Sequence, residues 1–303
     1  MERIIIICGP TGVGKTSVAI QIAQQFNGEI VGADSMQIYR HMDIGTAKPD
    51  PEEMKLVRHH LIDVADPKEE FDAGRYIEAA DQAIEDIVSR GKIPIITGGT
   101  GLYIKALLNG LFRSEPVCIK TLAQLTRELE EKGGQALHEK LANYDPKAAD
   151  KIHPNDSFRV IRALEVFQTT GRRISDRQEG HCFKDRRYKG LKIGLFMERE
   201  KLYDRINQRV DMMMNKGLLN EVLSLVEKGY SFNLKPMQSI GYKHMSMFIK
   251  NEVDLPEAIR LLKRDTRRYA KRQFTWFHKD KDIVWLKPSE NNHTENLIKE
   301  FLT

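Results

Sequence analysis

The sequence has 303 residues, of which 41% are apolar and 30% are charged, and its 48 Lys and Arg outnumber its 43 Asp and Glu to give a formal net charge of +5. This composition excludes a disordered or low-complexity chain, because it supplies enough apolar side chains for a packed core. The longest purely apolar run, Ile4–Cys8, has five residues, far fewer than the roughly 20 that a membrane-spanning helix needs.

The first third of the chain alternates two kinds of pattern. Short runs rich in Ile and Val, bounded by polar or turn residues, are typical of buried parallel strands. They occupy Ile4–Cys8, Ile30–Ala33, Leu61–Val64 and Ile93–Ile96, and helical periodicity lies between them at Ser17–Phe26 and Gly74–Ser89. Strands that alternate with helices predict an α/β fold, in which helices cover a parallel sheet.

The pattern becomes helical after about residue 113. Helix-periodic segments cover Lys120–Gly133, Gln135–Asn143, Pro146–Ile152 and Phe158–Thr170, the last with Asn155 or Asp156 as its N-cap and Gly171 at its end. Strand-like runs return at Leu191–Met197 and Ile283–Leu286, and long helical patterns occupy Leu202–Val226 and Pro256–His278. We therefore expect a sheet core formed by residues 1–112 and 191–303, interrupted by a helical insertion domain at 113–190.

A phosphate-binding motif follows the first predicted strand. It matches GxxxxGK[ST] and opens a helical pattern, which is the context that this motif requires. Its members are Gly9, Pro10, Thr11, Gly12, Val13, Gly14, Lys15 and Thr16. Glycines let backbone N–H groups point at phosphate oxygens, Lys15 would neutralise terminal phosphates, and Thr16 would reach a magnesium ion. The guanine signature NKxD is absent, which disfavours a GTPase and leaves a small-molecule kinase open.

Two further loops end predicted strands. Asp34 follows the second strand, and in an open parallel sheet its carboxylate would share a crevice with Lys15. There it would bind magnesium or act as a general base, unless it only caps a helix. The stretch Thr97–Tyr103 follows the fourth strand and is either a second site loop or a structural glycine turn.

The positive charge is concentrated in two stretches. Residues 255–287 carry a local charge of +6 and residues 172–192 carry +5, which leaves −6 for the rest of the chain. Such asymmetry is typical of a surface that binds phosphates or nucleic acid, although solvated helix faces give the same pattern. The three cysteines are far apart and form no CxxC pair, which favours the reducing cytoplasm over a disulfide framework.

Taken together, these loops closely resemble one family, the bacterial tRNA dimethylallyltransferases. The family's pattern is matched at residues 9–16, at 34–49 (DSMQIYRHMDIGTAKP), at 59–63 (HHLID), at 67–76 (PKEEFDAGRY) and at 98–103 (GGTGLY). It is matched again at 152–156, Arg159, 162–165, Gly171, Gly241–Tyr242 and 271–276. The resemblance therefore covers nearly the whole chain.

The resemblance implies a fold and an activity. The fold would be a P-loop kinase-like core with a helical insertion domain, in a monomeric, magnesium-dependent enzyme. The activity would transfer a dimethylallyl group from dimethylallyl diphosphate to the exocyclic N6 amine of the adenosine 3′ of the anticodon, in tRNAs that read codons beginning with U. The partners would be that diphosphate and a tRNA anticodon stem-loop. The competing functions are a small-molecule kinase and an ATP-dependent RNA-binding protein without group transfer.

The resemblance also implies roles for individual residues. Asp34 would be the general base, Thr100 would orient the amine or the donor, and Arg209 would bind the diphosphate, with Arg205 as the alternative. The expected tRNA contacts are Asp34, Ser35, Met36, Gln37, Arg159, Arg162, Gly241, Tyr242, Lys243, Lys271, Arg272 and Gln273. The aromatic residues of the last helical pattern, Tyr269, Phe274 and Trp276, would either stack on unpaired bases or belong to the core.

Overall fold

The computed structural model describes residues 1–110, 118–176 and 186–303, and it divides the chain into two compact units. The first unit comprises Met1–Asn109 and Arg186–Thr303, and the second comprises Gly110–Asp185. These boundaries lie within five residues of the predicted limits at 113 and 190. Part of the basic stretch at 172–192, including Cys182, lies outside the described residues. Within the described ranges, no helix is long and apolar enough to cross a membrane.

The first unit is built on a parallel sheet, as the strand–helix alternation predicts. In the described part of the chain its strands are β1 (Arg3–Cys8), β2 (Gly28–Gly32), β3 (His59–His60), β4 (Ile93–Gly98), β5 (Lys189–Leu195) and β6 (Val284–Leu286). They are arranged in the order β3-β2-β4-β1-β5-β6, and each neighbouring pair is parallel. The predicted α/β fold class is therefore confirmed.

Twelve α-helices are described, of which three belong entirely to the second unit. Those of the first unit are α1 (Lys15–Gln25), α2 (Pro51–Leu56), α3 (Ala73–Ser89), α4 (Gly101–Asn109), α8 (Arg199–Asn215), α9 (Leu218–Glu227), α10 (Tyr242–Ile249), α11 (Leu255–Phe277) and α12 (Asn291–Leu302). Those of the second unit are α5 (Ile119–Tyr144), α6 (Pro146–Lys151) and α7 (Ser157–Thr170).

Two predicted elements are wrong in detail. The third strand is His59–His60 and not Leu61–Val64, because Leu61 and Asp63 adopt positive φ angles of 61° and 58° that no strand accommodates. The single helical pattern at 202–226 is two helices, α8 and α9. Gly217 separates them with a φ of 96°, a left-handed conformation that glycine adopts without a steric penalty.

The second unit has its own apolar core. The long helix α5 is interrupted at Gly133, whose φ of 79° and ψ of 167° are not helical, so the two predicted helices there meet at this residue. Asp156 caps α7 and Gly171 ends it with a φ of 67°, both as predicted. The buried side chains that hold these helices together are Leu125, Leu137, Leu141, Ala148, Ala149, Val160, Ile161, Ala163 and Leu164.

The strand order places three loops side by side. The central strand β4 pairs with β2 on one side and with β1 on the other, so Ile95 lies opposite both Ile30 and Ile5. The carboxyl ends of parallel strands lie at one edge of the sheet. The loops that follow β1, β2 and β4 therefore meet there, and each of them contains a predicted site residue.

Replacement of Gly98 by Ala should destabilise this edge strongly. A Cβ at Gly98 would lie 2.0 Å from the carbonyl oxygen of Ala33, which is backbone and cannot move aside. We expect the free energy of unfolding, measured with urea, to fall by about 3 kcal/mol. The control is Gly91→Ala, where the Cβ would meet nothing within 4 Å but φ is 68°. That change should cost only about 1–2 kcal/mol, and equal losses for the two variants would contradict the clash.

Candidate active site

The loop after β1 curls around its own lysine. Gly9 has a φ of 142°, and a Cβ there would lie 2.6 Å from the carbonyl oxygen of Leu195. The Lys15 ammonium donates a hydrogen bond to the Pro10 carbonyl oxygen over 2.9 Å. Lys15 and Thr16 form the first turn of α1, whose N-terminus carries partial positive charge. This arrangement is suited to binding an anion.

The electrostatics of Lys15 are set by its surroundings. Burial lowers the pKa of its ammonium to about 8. The negative charge of Asp34 opposes this shift, and the positive charge of Arg209 adds to it. The three side chains that we predicted to act on the donor and the amine therefore lie close enough to interact.

Asp34 lies in the loop after β2, and one of its carboxylate oxygens accepts hydrogen bonds. Its Oδ1 accepts hydrogen bonds from the backbone N–H groups of Met36 at 2.9 Å and Gln37 at 3.4 Å. The carboxylate thus caps the short turn that follows it. Among the described residues nothing binds Oδ2, so this second oxygen is available to a ligand or a proton.

Thr100 connects the loops after β2 and β4. Its Oγ1 accepts a hydrogen bond from the Ser35 backbone N–H at 3.0 Å and donates one to the Ser35 hydroxyl at 3.4 Å. Its own backbone N–H donates to the Ala33 carbonyl oxygen at 3.1 Å. The glycine-rich stretch is therefore joined to the Asp34 loop, and Thr100 lies directly beside the residue that follows Asp34.

Arg209 reaches the site from α8. Its Nη1 donates to the Thr11 hydroxyl at 3.4 Å and its Nη2 to the Ala47 carbonyl oxygen at 3.5 Å. Burial lowers the pKa of its guanidinium, and the charge of Asp34 counteracts this shift. The alternative, Arg205, has its guanidinium nitrogens 3.7 and 3.8 Å from where a Cβ on Gly14 would be. Both arginines therefore border the loop.

Gln273 is buried, whereas a side chain that contacts RNA at the surface has to be exposed. Its side chain is only 6% exposed. Its Oε1 accepts from the Thr11 backbone N–H at 2.8 Å, and its Nε2 donates to the Gly99 carbonyl oxygen at 2.9 Å. Gln273 thus joins the loop after β1 to the loop after β4 from a position on α11.

The residues around Gly241 that are expected to contact tRNA differ in how far they are buried. Gly241 is buried and Tyr242 is fully buried, whereas Lys243 is exposed. Gln37, expected beside the base, donates from Nε2 to the carbonyl oxygens of Thr46 at 3.2 Å and Ala47 at 3.0 Å. Of these residues, Lys243 has the side chain that solution reaches most freely.

The basic helix α11 presents a polar, aromatic face to solvent. A shallow groove on this face is lined by Arg268, Lys271, Arg272, Thr275, Trp276 and Lys279. Phe274 and Trp276 are 39% and 42% exposed, so the interpretation of these two aromatics as core residues is wrong. Trp276 also packs against the first residue of α4, since a Cβ on Gly101 would lie 2.1 Å from its indole nitrogen. The groove therefore lies next to the Thr100 loop.

Arg159 and Arg162 belong to the second unit, on α7. Arg159 is exposed and pairs with the helix-capping Asp156. Arg162 is partly buried and pairs with Glu165, which also accepts a hydrogen bond from the Cys118 backbone N–H at 2.9 Å. Arg162 therefore helps to organise its own unit.

The residues of the site are compatible with a magnesium ion that has few protein ligands. No group of three or more His, Cys, Asp or Glu side chains is arranged to hold a metal in the ranges that the structure describes. Magnesium commonly keeps several waters and binds substrate phosphates with only one or two protein ligands. The Thr16 hydroxyl forms no hydrogen bond with the described residues, so it is available for such a role.

Sequence reasoning missed three features of this site. Glu221, which accepts hydrogen bonds from the backbone N–H groups of Asp43, Ile44 and Gly45, lies outside every motif. The Ala47 carbonyl oxygen lies within the 34–49 pattern, but that pattern assigned it no role. The buried position of Gln273 did have a signal, because it shares a helical stripe with the buried residues Ala270 and Phe277. The exposed residues Lys271 and Arg272 lie off that stripe.

Comparison with known proteins agrees with this geometry. The family model described as IPP transferase matches residues 37–280. The tRNA dimethylallyltransferases of Desulfosudis oleivorans and Acetivibrio thermocellus are each 50% identical to this chain, over 99% of it and 96% of each relative. These relatives do not favour the kinase interpretation.

Solved structures show the same likeness. A full-length tRNA isopentenylpyrophosphate transferase from Bacillus halodurans is 41% identical, with a TM-score of 0.73 over 100% of this chain and 98% of that one. A eukaryotic dimethylallyltransferase acting on tRNA is 32% identical, with a TM-score of 0.80 over 99% of this chain and 77% of that one. From its motifs, its fold and these matches, the chain belongs to the IPP transferase family, together with the tRNA dimethylallyltransferases.

Proposed function

We propose that this protein transfers a dimethylallyl group from dimethylallyl diphosphate to a tRNA. The acceptor is the N6 amine of the adenosine 3′ of the anticodon, in tRNAs that read codons beginning with U, and diphosphate is released. The observation that carries the proposal is the meeting of Asp34, Lys15, Thr100 and Arg209 at one edge of the sheet. The same site combines cations for a leaving diphosphate with a carboxylate for an amine proton.

The proposed reaction is a substitution at the first carbon of the allyl group. The adenine N6 lone pair forms a bond to that carbon while the carbon–oxygen bond to diphosphate breaks, and the electron pair leaves with the diphosphate. Lys15, Arg209 and the backbone N–H groups of the Gly9–Thr16 loop stabilise the growing charge on the leaving group. The free Oδ2 of Asp34 takes the N6 proton, because the ring-delocalised amine is otherwise a weak nucleophile.

A magnesium ion would assist at the diphosphate. Thr16, at the start of α1, would hold it together with diphosphate oxygens and water, which suits the ligand preferences of this metal. Bound there, it would neutralise charge on the leaving diphosphate. The protein groups still supply the orientation, since Arg209 is held by the Thr11 hydroxyl and the loop is held by the Thr11 N–H, which donates to Gln273 Oε1.

The acceptor adenosine has to leave its stack to reach this site, at a cost of a few kcal/mol. The exposed face of α11 offers contacts that offset this cost. Lys271, Arg272 and Lys279 supply positive charge for phosphates, and Trp276 supplies a ring on which an unpaired base stacks. This face lies beside the Thr100 loop, so an RNA loop bound here is close to Asp34.

One assay tests the proposal. The protein is incubated with magnesium chloride, radiolabelled dimethylallyl diphosphate and unmodified tRNA, and label in the RNA is measured after nuclease digestion to nucleosides. We expect label on N6 of the adenosine 3′ of the anticodon and none in tRNA whose adenosine there is replaced. ATP consumption without transfer of label would favour a small-molecule kinase instead.

Removing two cations from α11 should weaken tRNA binding selectively. In the Lys271→Ala/Arg272→Ala variant we expect a lower affinity for tRNA and a shallower dependence of the binding constant on salt, because fewer phosphate contacts release fewer counterions. The slope should fall by about 1–2 in a plot of log K against log salt, measured by filter binding. Lys228→Ala, an exposed lysine after α9, is the control. An unchanged slope in the double variant would place the RNA elsewhere.

A further inference from the structure

One carboxylate organises the segment 43–48 from another part of the chain. Glu221, on α9, accepts hydrogen bonds from three consecutive backbone N–H groups. Its Oε2 binds those of Asp43 at 3.0 Å and Ile44 at 2.7 Å, and its Oε1 binds that of Gly45 at 3.0 Å. Three N–H groups that converge on one ionised carboxylate fix a segment firmly, because hydrogen bonds to a charged acceptor are the stronger kind.

Tyr242 completes this arrangement. Its hydroxyl donates to Glu221 Oε1 over 2.6 Å, and its fully buried ring packs on Gly45. A Cβ on Gly45 would lie 2.5 Å from that ring, so only glycine fits this contact. Burial, followed by the nearby Glu221 charge, raises the pKa of the Tyr242 hydroxyl, which therefore remains a proton donor.

The segment held in this way presents a backbone acceptor to the active site. The Ala47 carbonyl oxygen accepts from both Gln37 Nε2 at 3.0 Å and Arg209 Nη2 at 3.5 Å. Ala47 has a φ of 51°, a left-handed conformation that an alanine adopts only at an energetic cost. The surrounding contacts must maintain this conformation. The N–H groups that Glu221 binds belong to residues two to four positions before Ala47.

We propose that Glu221 and Tyr242 are positioning residues, which hold the segment 43–48 so that the Ala47 carbonyl oxygen orients Arg209 toward the diphosphate. The proposal rests on the proposed function in one respect, since it takes Arg209 to bind the diphosphate. Tyr242 then acts from within the protein and has no direct contact with tRNA.

Isothermal titration calorimetry with inorganic pyrophosphate and magnesium chloride tests this proposal without turnover. The Glu221→Gln side chain keeps its size but loses the charge and turns an N–H₂ group toward N–H donors. We expect it to weaken pyrophosphate binding by about tenfold. Tyr242→Phe keeps the ring and removes one hydrogen bond, and it should weaken binding by about threefold. Glu227→Gln, at the exposed end of α9, should bind as the wild type does.

A double-mutant cycle with Arg209→Gln separates positioning from general damage. If Glu221 acts through Arg209, the Glu221→Gln/Arg209→Gln variant should bind pyrophosphate no more weakly than Arg209→Gln alone. The proposal would be overturned if the losses of affinity in the two single variants multiplied in the double variant. It would also be overturned if both Glu221→Gln and Tyr242→Phe bound pyrophosphate as the wild type does. In either case the donor site would stand. No pyrophosphate binding by the wild type would overturn the donor site and this proposal together. Thermal unfolding of each variant verifies that it is folded.

Discussion

Replacement of Asp34 by Asn should reduce turnover by about 100- to 10,000-fold, the range expected for loss of a general base. The amide keeps an oxygen that accepts from the Met36 and Gln37 N–H groups, so the turn that Asp34 caps is preserved. What it removes is the free carboxylate oxygen that takes the N6 proton. Single-turnover measurement with saturating donor and tRNA isolates this step from binding.

The affinity for tRNA provides the control for this variant. We expect Asp34→Asn to bind tRNA nearly as the wild type does, because the exposed cations of α11 are untouched. Asp34→Ala should behave similarly in turnover but also loosen the turn, since both hydrogen bonds to Oδ1 are lost. Wild-type turnover in Asp34→Asn would exclude Asp34 as the base.

Replacement of Lys15 by Met should reduce turnover by about 100-fold or more, comparable to the removal of one group that stabilises a developing oxyanion. The methionine fills a similar volume but has no charge to place near the leaving diphosphate. The loss should be visible as weaker pyrophosphate binding in calorimetry as well as slower transfer. A variant that binds pyrophosphate as tightly as the wild type would contradict the role of Lys15.

The pKa of Lys15 predicts how the affinity for pyrophosphate changes with pH. Because burial lowers this pKa to about 8, the ammonium is charged below that pH and becomes neutral above it. Only the charged form attracts the anion, so the affinity of the wild type should fall by up to about tenfold per pH unit above pH 8. The fall ends at the higher pKa that the lysine has once the anion is bound.

Lys15→Arg is the matched control for this pH dependence. A guanidinium stays charged throughout this range, so the variant's affinity should change only through the ionisation of pyrophosphate itself. The ratio of wild-type to variant affinity should therefore decrease above pH 8. A ratio that stays constant between pH 7 and pH 10 would show that Lys15 does not titrate in this range.

The sequence predicted the parallel sheet and the loops that follow its strands well, because both leave local signals. Buried parallel strands are continuous apolar runs, and each of the loops after β1, β2 and β4 follows such a run directly. The weakest signal was that of the third strand, which was predicted at Leu61–Val64, a run of four residues of which three are apolar. Leu61 and Asp63 instead adopt left-handed conformations, and the strand lies two residues earlier.

The burial of individual side chains was predicted less well than the fold. Tyr242 and Gln273 lie in segments that resemble tRNA-contacting motifs, yet both are buried and bound within the first unit. A motif identifies which residues matter but does not specify which face of a helix they occupy. In α11, the helical stripe through Ala270 and Phe277 carries that information for Gln273.

By itself, the sequence determined the α/β class and the order along the chain of the loops that hold Lys15, Asp34 and Thr100, because each depends on residues that are close along the chain. Only the tertiary structure placed Glu221 against Asp43, from which it is separated by 178 positions. It also decided that the Ala47 carbonyl oxygen meets Arg209. The physical reason is that hydrogen bonds between distant segments have no period or spacing in the sequence, and they form only when the fold brings donor and acceptor together.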